Sequence, residues 1–175
     1  VIGKEELEMR LHRIRLVAMD LDGTLTDGST FFTKEGDVIK RFCVRDRLGI
    51  TLLHKAGFIT AIITADTSAL IERRAELLNV HHLIMGSKAK AEDIRWLCAK
   101  LNLSPEEIAY IGDDVNDERA MKFVGLACCP NDAHPAILKT AHVVLPYPGG
   151  RGCVRALCDT ILIAHGLPLN PEEPW

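Results

Sequence analysis

The sequence predicts an α/β fold: a doubly wound, mostly parallel sheet with helices on both faces, and a small β-hairpin inserted near its start. Three observations carry that expectation. Short apolar runs, among them 14–19, 58–64 and 108–112, have the length and composition of strands buried on both faces. Between the runs lie segments of about 10–15 residues with helical periodicity, the alternation that builds parallel sheets. The acidic and hydroxyl-bearing stretches fall at the carboxyl ends of the runs, the edge at which open α/β sheets bind ligands. No linker, repeat or low-complexity segment divides residues 1–175, so a single domain is expected.

Residues 1–13 read as a short amphipathic helix or arm without recognisable chemistry. The first strand, 14–19, is interrupted only by Arg15 and runs into Asp20 and Asp22. Residues 29–42 place apolar stretches on either side of a Lys-Glu-Gly-Asp turn, a hairpin too short to hold its own core. Its Phe31, Phe32 and Phe42 are expected to be exposed and to meet another subunit. A helix over 46–56 ends at Gly57, and strand 58–64 delivers Thr64 to the same edge as Asp20. A helix over 68–78, a short strand over 82–85 and a helix from Lys90 to about residue 101 follow. Ser104-Pro105-Glu106-Glu107 reads as a helix N-terminus, with serine as cap and proline at the first helical position. Strand 108–112 then meets Asp113-Asp114-Val115-Asn116-Asp117, and strands over 125–129 and 142–145 alternate with helices over 134–139 and 151–165.

Composition narrows the class. Apolar residues at 47% and charged ones at 26% are those of a globular protein, not a disordered one. A formal charge of −3 gives no electrostatic ground for nucleic-acid binding, and no apolar run approaches the length of a membrane span. The charged N-terminal stretch is unlike a secretory signal. Cys43, Cys98, Cys128, Cys129, Cys153 and Cys158 show no Cys-x-x-Cys spacing and are expected reduced, which points to the cytoplasm.

The chemistry is concentrated in four places. Asp20 and Asp22, one residue apart, repel each other unless a cation, a lysine or a shared proton lies between them. Two oxygen ligands on a glycine-loosened loop suit Mg²⁺, which leaves positions for water and phosphate. Thr64 at a strand end offers a hydroxyl and a backbone N–H to a phosphate oxygen, although such a threonine also serves to cap the next helix. Lys90 is a candidate phosphate clamp, with Lys88 competing two residues earlier. Asp113, Asp114 and Asp117 place three carboxylates within five residues at the end of an apolar strand.

The spelling DLDGTLTDG resembles the first motif of the haloacid dehalogenase (HAD) superfamily of phosphatases. Thr64, Lys90 and GDDVND follow in that superfamily's order, so the resemblance runs from about residue 15 to 166. It implies a HAD-like Rossmannoid core with Asp20 as nucleophile, Asp22 as acid/base, Thr64 as phosphate binder and Lys90 as clamp. By the same resemblance Asp113 holds Mg²⁺ with Asp20 and the backbone carbonyl of Asp22. Asp114 and Asp117 support that site through water or hydrogen bonds.

The gaps between motifs are too short for a large cap domain. The stretches TDG…EGDVIKRFCVRDRLGI, GDDVND, DAHPAIL and GGRGCVRALCDTIL resemble the small capless phosphatases of 3-deoxy-D-manno-octulosonate 8-phosphate (KDO 8-phosphate). They also resemble phosphatases of nine-carbon sugar acids and the carboxy-terminal domain of some sialic-acid cytidylyltransferases. The resemblance implies a phosphorylated sugar acid as substrate and a homotetramer in which hairpins assemble centrally. Relatives usually have Thr-Gly at the second motif, followed by Arg in the octulosonate enzymes and Glu in the nine-carbon ones; this chain has Thr64-Ala65-Asp66. Arg45, Arg74 and Arg151 are the candidates for recognising a sugar carboxylate. A non-catalytic tetramerisation module and a phosphoryl-accepting receiver are the other classes; the intact four motifs speak against the first, Asp-x-Asp on the first strand against the second. The proline-rich tail, 166–175, is expected either to reach a neighbour's site or to be disordered.

Overall fold

In the computed structural model residues 2–36 and 38–170 are described; Asp37 of the expected hairpin turn and residues 171–175 of the tail lie outside them. The strands are β1 (Leu16–Met19), β2 (Thr26–Phe32), β3 (Val38–Phe42), β4 (Ile59–Ile63), β5 (His82–Ile84), β6 (Ile108–Ile111), β7 (Leu126–Cys129) and β8 (Val143–Val144). The helices are α1 (Lys4–Leu11), α2 (Val44–Lys55), α3 (Ala69–Leu78), α4 (Lys90–Leu101), α5 (Glu118–Phe123), α6 (Pro135–Thr140) and α7 (Cys153–Ala164). Six strands form one parallel sheet in the order β5-β4-β1-β6-β7-β8, and β2 and β3 form a separate antiparallel pair.

The chain builds outward from β1 through β4 to β5, then returns to lay β6 against the other side of β1. That reversal opens a crevice beyond the carboxyl end of β1, the switch point at which such sheets bind ligands. Side chains of the sheet alternate between two cores, as a strand period of two demands. Val17, Met19, Ile62, Ala109 and Ile111 pack with residues of α2, α3 and α7 on one face. Leu16, Ala18, Ile63, Ile108 and Tyr110 pack with α4, α5 and α6 on the other. All four residues of β1 are buried, so each contributes on the order of 1.5–3 kcal/mol when its side chain is large. The doubly wound parallel sheet with a hairpin is therefore present as expected.

Three local expectations are corrected. Ser104-Pro105 opens only a single 3₁₀ turn, Pro105–Glu107. The reciprocal cap between Ser104 and Glu107 is present, but Ile108 is already buried and paired with Leu16, which draws the chain into β6. The hairpin also starts earlier than expected, at Thr26. Of its three phenylalanines, Phe31 and Phe32 are 59% and 72% exposed. Phe42 is instead partly buried against the core beneath the Arg74 guanidinium, 4.5 Å from its ring centre. Among the described residues no helix is long and apolar enough to cross a membrane, and all six cysteines are unpaired.

Candidate active site

The carboxyl ends of β1, β4 and β6 and the start of α4 meet around a cleft of about 290 Å³ whose lining includes Asp20, Asp22, Thr64, Asp66, Lys90 and Asp113. Asp20 extends the β1–β6 ladder, its N–H donating to Ile111 O at 2.9 Å, so its carboxylate is aimed by the sheet. Thr64 extends β4 in the same way toward Ile84 O at 2.9 Å, and its hydroxyl accepts the Asp66 N–H at 3.1 Å. The hydroxyl thus closes the turn after β4 and caps no helix, since α3 starts only at Ala69, and the residue lines the cleft.

Lys90 opens α4 yet is buried, and Lys88 is exposed, so the geometry places the former in the cleft. Its Nζ lies 2.7 Å from Asp20 Oδ1 and 2.6 Å from Asp117 Oδ1. Asp117 is completely buried and organises this corner. One of its oxygens also accepts the Tyr110 hydroxyl at 2.6 Å; the other accepts the backbone N–H groups of Asp113 and Asp114 at 3.0 and 3.2 Å. The loop after β6 is therefore moulded around one carboxylate. Asp114 is exposed and caps the following 3₁₀ turn through the Val115 N–H.

Asp113 faces the other way, toward the loop after β1, where the Thr24 hydroxyl donates to its Oδ1 at 3.3 Å. Gly23, at φ +80°, leaves room for this approach; any Cβ there would collide with the Asp113 carboxylate. A second close crossing holds the same loop from outside. Cβ atoms at Gly149 or Gly150 would strike the Gly23 carbonyl and the Thr26–Asp27 backbone, and the Gly150 N–H donates to Thr24 O at 2.9 Å.

One oxygen from each of Asp20, Asp113 and Asp117 lies within 4.8 Å of the other two. Three carboxylates opposed by one ammonium leave surplus negative charge, and the acid groups respond. Burial, reinforced by the charge of Asp117, raises Asp20 to about 6 against the pull of Lys90. Burial and the charges of Asp20 and Asp117 raise Asp113 to about 8. Burial disfavours the Lys90 ammonium, but Asp20 and Asp117 more than offset it and raise its pKa. A divalent cation satisfies the remaining demand, and hard carboxylate oxygens suit Mg²⁺. Asp117 already uses its lone-pair directions on Lys90, Tyr110 and two N–H groups, so Asp20 and Asp113 are the side chains with donors to spare.

Asp22 stands apart from that group. Its carboxylate accepts the Thr26 hydroxyl at 3.2 Å and Lys40 Nζ at 2.7 Å to both oxygens, while the same Nζ reaches Asp66 Oδ2 at 2.6 Å. Lys40 was not singled out by the sequence reading, nor was Tyr110. The signal for Lys40 is its place on β3: it shares the inward face with Val38 and Phe42, where a lysine needs a partner. Burial works against the Lys40 ammonium, yet the hydrogen bonds it donates to Asp22 and Asp66 raise its pKa; Asp66, with Lys40 and the Ser68 N–H overcoming burial, is held below the usual carboxylate range.

The arginines expected to recognise an anion are not brought to the cleft lining. Arg45 donates to the Arg151 carbonyl at 3.1 Å, with its guanidinium 5.9 Å from the Tyr147 ring centre. Arg74 of α3 lies over the Phe42 ring.

A haloacid dehalogenase-like hydrolase model matches residues 44–125. The 3-deoxy-D-manno-octulosonate 8-phosphate phosphatase of Yersinia pestis is 41% identical over 161 residues, 92% of this chain and 86% of that protein. Its crystal structure superposes with a TM-score of 0.91 over 93% of this chain and 88% of that one. The Escherichia coli K12 enzyme of the same name is 39% identical over 166 residues, 95% of this chain and 85% of that protein. A Moraxella catarrhalis phosphatase of that name, solved with magnesium, phosphate and KDO, superposes with a TM-score of 0.90 at 35% identity, covering 93% of each chain. Similarity of this extent makes the chain a member of the HAD superfamily and, within it, of its phosphatases.

Proposed function

We propose that the chain hydrolyses KDO 8-phosphate, a phosphate monoester of an eight-carbon sugar acid, through a phosphoryl group carried on Asp20. The observation that carries the reading is the convergence of Asp20, Asp113 and Lys90 on one cleft at the sheet's switch point. The similarity to phosphatases of that substrate supports it. Asp20 and Asp113 are the side chains to hold Mg²⁺. When bound, the ion supplies positive charge against the phosphoryl oxygens, which a carboxylate nucleophile would otherwise repel. Lys90 neutralises the same oxygens from the α4 side and keeps the Asp20 carboxylate oriented. Asp20 attacks phosphorus, the bond to the sugar oxygen breaks, and Asp22 gives that oxygen a proton. In the second step Asp22 takes a proton from water as it attacks the acyl phosphate and frees Asp20.

Asp66 favours one other substrate. An acidic residue here is closer to the Glu of nine-carbon sugar-acid phosphatases than to the Arg of octulosonate enzymes, so a nine-carbon acid 9-phosphate is the second reading. Assaying both sugar-acid phosphates with Mg²⁺, and again after exhaustive chelation, decides between them. KDO 8-phosphate should show the higher kcat/KM, and activity should vanish with the metal. A higher kcat/KM on the nine-carbon compound selects the second reading, and no hydrolysis of either rejects both.

The working unit in this reading is a homotetramer. Phe31, Phe32 and Ile39 of the hairpin are all more than half exposed, and a two-stranded ribbon cannot cover them itself. Sedimentation at micromolar concentration should give about four times the chain mass, and Phe32→Glu should shift it toward monomer. A wild-type monomer of full activity would overturn the oligomer.

A further inference from the structure

Asp20 and Asp22 are one residue apart, yet they are held by different parts of the molecule. Asp20 is fixed by the β1–β6 ladder and Lys90. Asp22 lies beyond the strand, its side chain is 41% exposed, and among the described residues its side-chain partners are Thr26 and Lys40, both from the hairpin. Lys40 has the opposite character: its side chain is only 4% exposed. Its three short contacts, two to Asp22 and one to Asp66, match the three donors of an ammonium. Asp66 is itself anchored to the main sheet, its Oδ1 accepting the Ser68 N–H at 2.7 Å and its N–H donating to Thr64 Oγ1. A continuous chain of hydrogen bonds thus runs from the end of β4 through Asp66 and Lys40 to Asp22.

A lysine so enclosed has no donor left for a substrate, and an aspartate so exposed has only the Thr26 hydroxyl besides it to choose its rotamer. We propose that Lys40, braced by Asp66, is a positioning residue that sets the orientation of the Asp22 carboxyl toward the leaving-group oxygen. The alignment of proton transfer then belongs to the hairpin, while the alignment of phosphoryl transfer belongs to the sheet. This rests on the reading of Asp22 as the acid/base group. Misplacing a reacting group by about 1 Å costs on the order of 10²-fold. That cost falls only on substrates that need the proton: an alkoxide leaves poorly without one, whereas p-nitrophenolate is stable as the anion.

The test compares kcat/KM, which reports the steps through leaving-group departure, on p-nitrophenyl phosphate and on whichever sugar-acid phosphate the wild-type enzyme turns over fastest, all with Mg²⁺. Lys40→Met should lose about 100-fold on the sugar-acid phosphate and less than about threefold on p-nitrophenyl phosphate. Lys40→Arg, which restores a cation of similar reach, should recover at least tenfold of the loss. Asp66→Asn, which loosens the brace without removing the lysine, should show a smaller loss with the same preference, and decides the matter if Lys40→Met does not fold. Equal losses on both substrates, or none on either, overturn the inference and leave the phosphatase reading standing. A wild-type enzyme that hydrolyses neither compound overturns the phosphatase reading, and the inference falls with it.

Discussion

Asp20→Asn should leave a folded protein with turnover reduced by at least about 10⁵-fold, the scale seen when a covalent nucleophile is removed. The substitution is nearly isosteric, and its amide oxygen can still accept from Lys90. What it lacks is a carboxylate able to attack phosphorus. Folding should survive because the Asp20 charge is buried at a cost: burial lifts the group to about 6 even with Lys90 2.7 Å away. Replacing that charge with a neutral amide removes the cost, so thermal unfolding should occur no lower than in the wild type when metal is absent. Acid quenching during turnover should recover a phosphorylated peptide containing Asp20 from the wild type and none from the variant. Turnover within about 100-fold of wild type, or a phosphoryl group on another residue, removes Asp20 from the role of nucleophile.

Lys90→Met should damage both rate and stability. The ammonium is nearly inaccessible and bridges two buried carboxylates, so its loss strands Asp20 and Asp117 without their counter-charge. Breaking a buried pair by removing one partner costs on the order of 3–5 kcal/mol, roughly 10 °C in melting temperature for a chain of this size. Loss of a preorganised donor to the transferring phosphoryl group should lower kcat/KM by about 10³-fold. Added Mg²⁺ should raise the melting temperature of the variant more than that of the wild type, because the ion meets a larger excess of negative charge. Lys88→Met, at an exposed position two residues earlier, should be neutral. If that change is the damaging one and Lys90→Met behaves normally, the clamp is misassigned.

What was legible in the sequence was whatever strand geometry alone decides. Asp20, Thr64 and Asp113 each follow an apolar run, and a parallel sheet must bring the ends of such runs to one edge. Lys90 was legible as the first residue of a helix, although only its burial separates it from Lys88. The rest depends on side chains meeting across elements. Lys40 sits 18 residues from Asp22, and their contact needs both the hairpin register and the lie of the hairpin over the cleft. Asp117 read as a supporting acid, but its full burial beneath Lys90 and Tyr110 follows from the packing of α4 against the loop after β6. Arg45 and Arg74 looked suited to an anion because arginine forks suit carboxylates. Their partners, a carbonyl and an aromatic ring, are tertiary facts that no spacing announces.

The glycine crossing between residues 149–150 and the loop after β1 bears on how this enzyme can diverge. Gly23 in the cleft lining is packed against the Asp113 carboxylate, and Gly149 and Gly150 lie backbone on backbone behind it, all three too close for any side chain to be added. Drift there is closed off, since each first step collides either with the backbone or with the Asp113 carboxylate. The lining also includes side chains at Ala65 and Asp66, and Ala65 is exposed. Variation in what the enzyme accepts is thereby channelled to exposed positions such as Ala65, since Asp66 and Lys40 are tied by hydrogen bonds to Asp22. New substrate preferences can arise in this scaffold by single replacements at such positions, without a change at Asp20, Asp22 or Asp113.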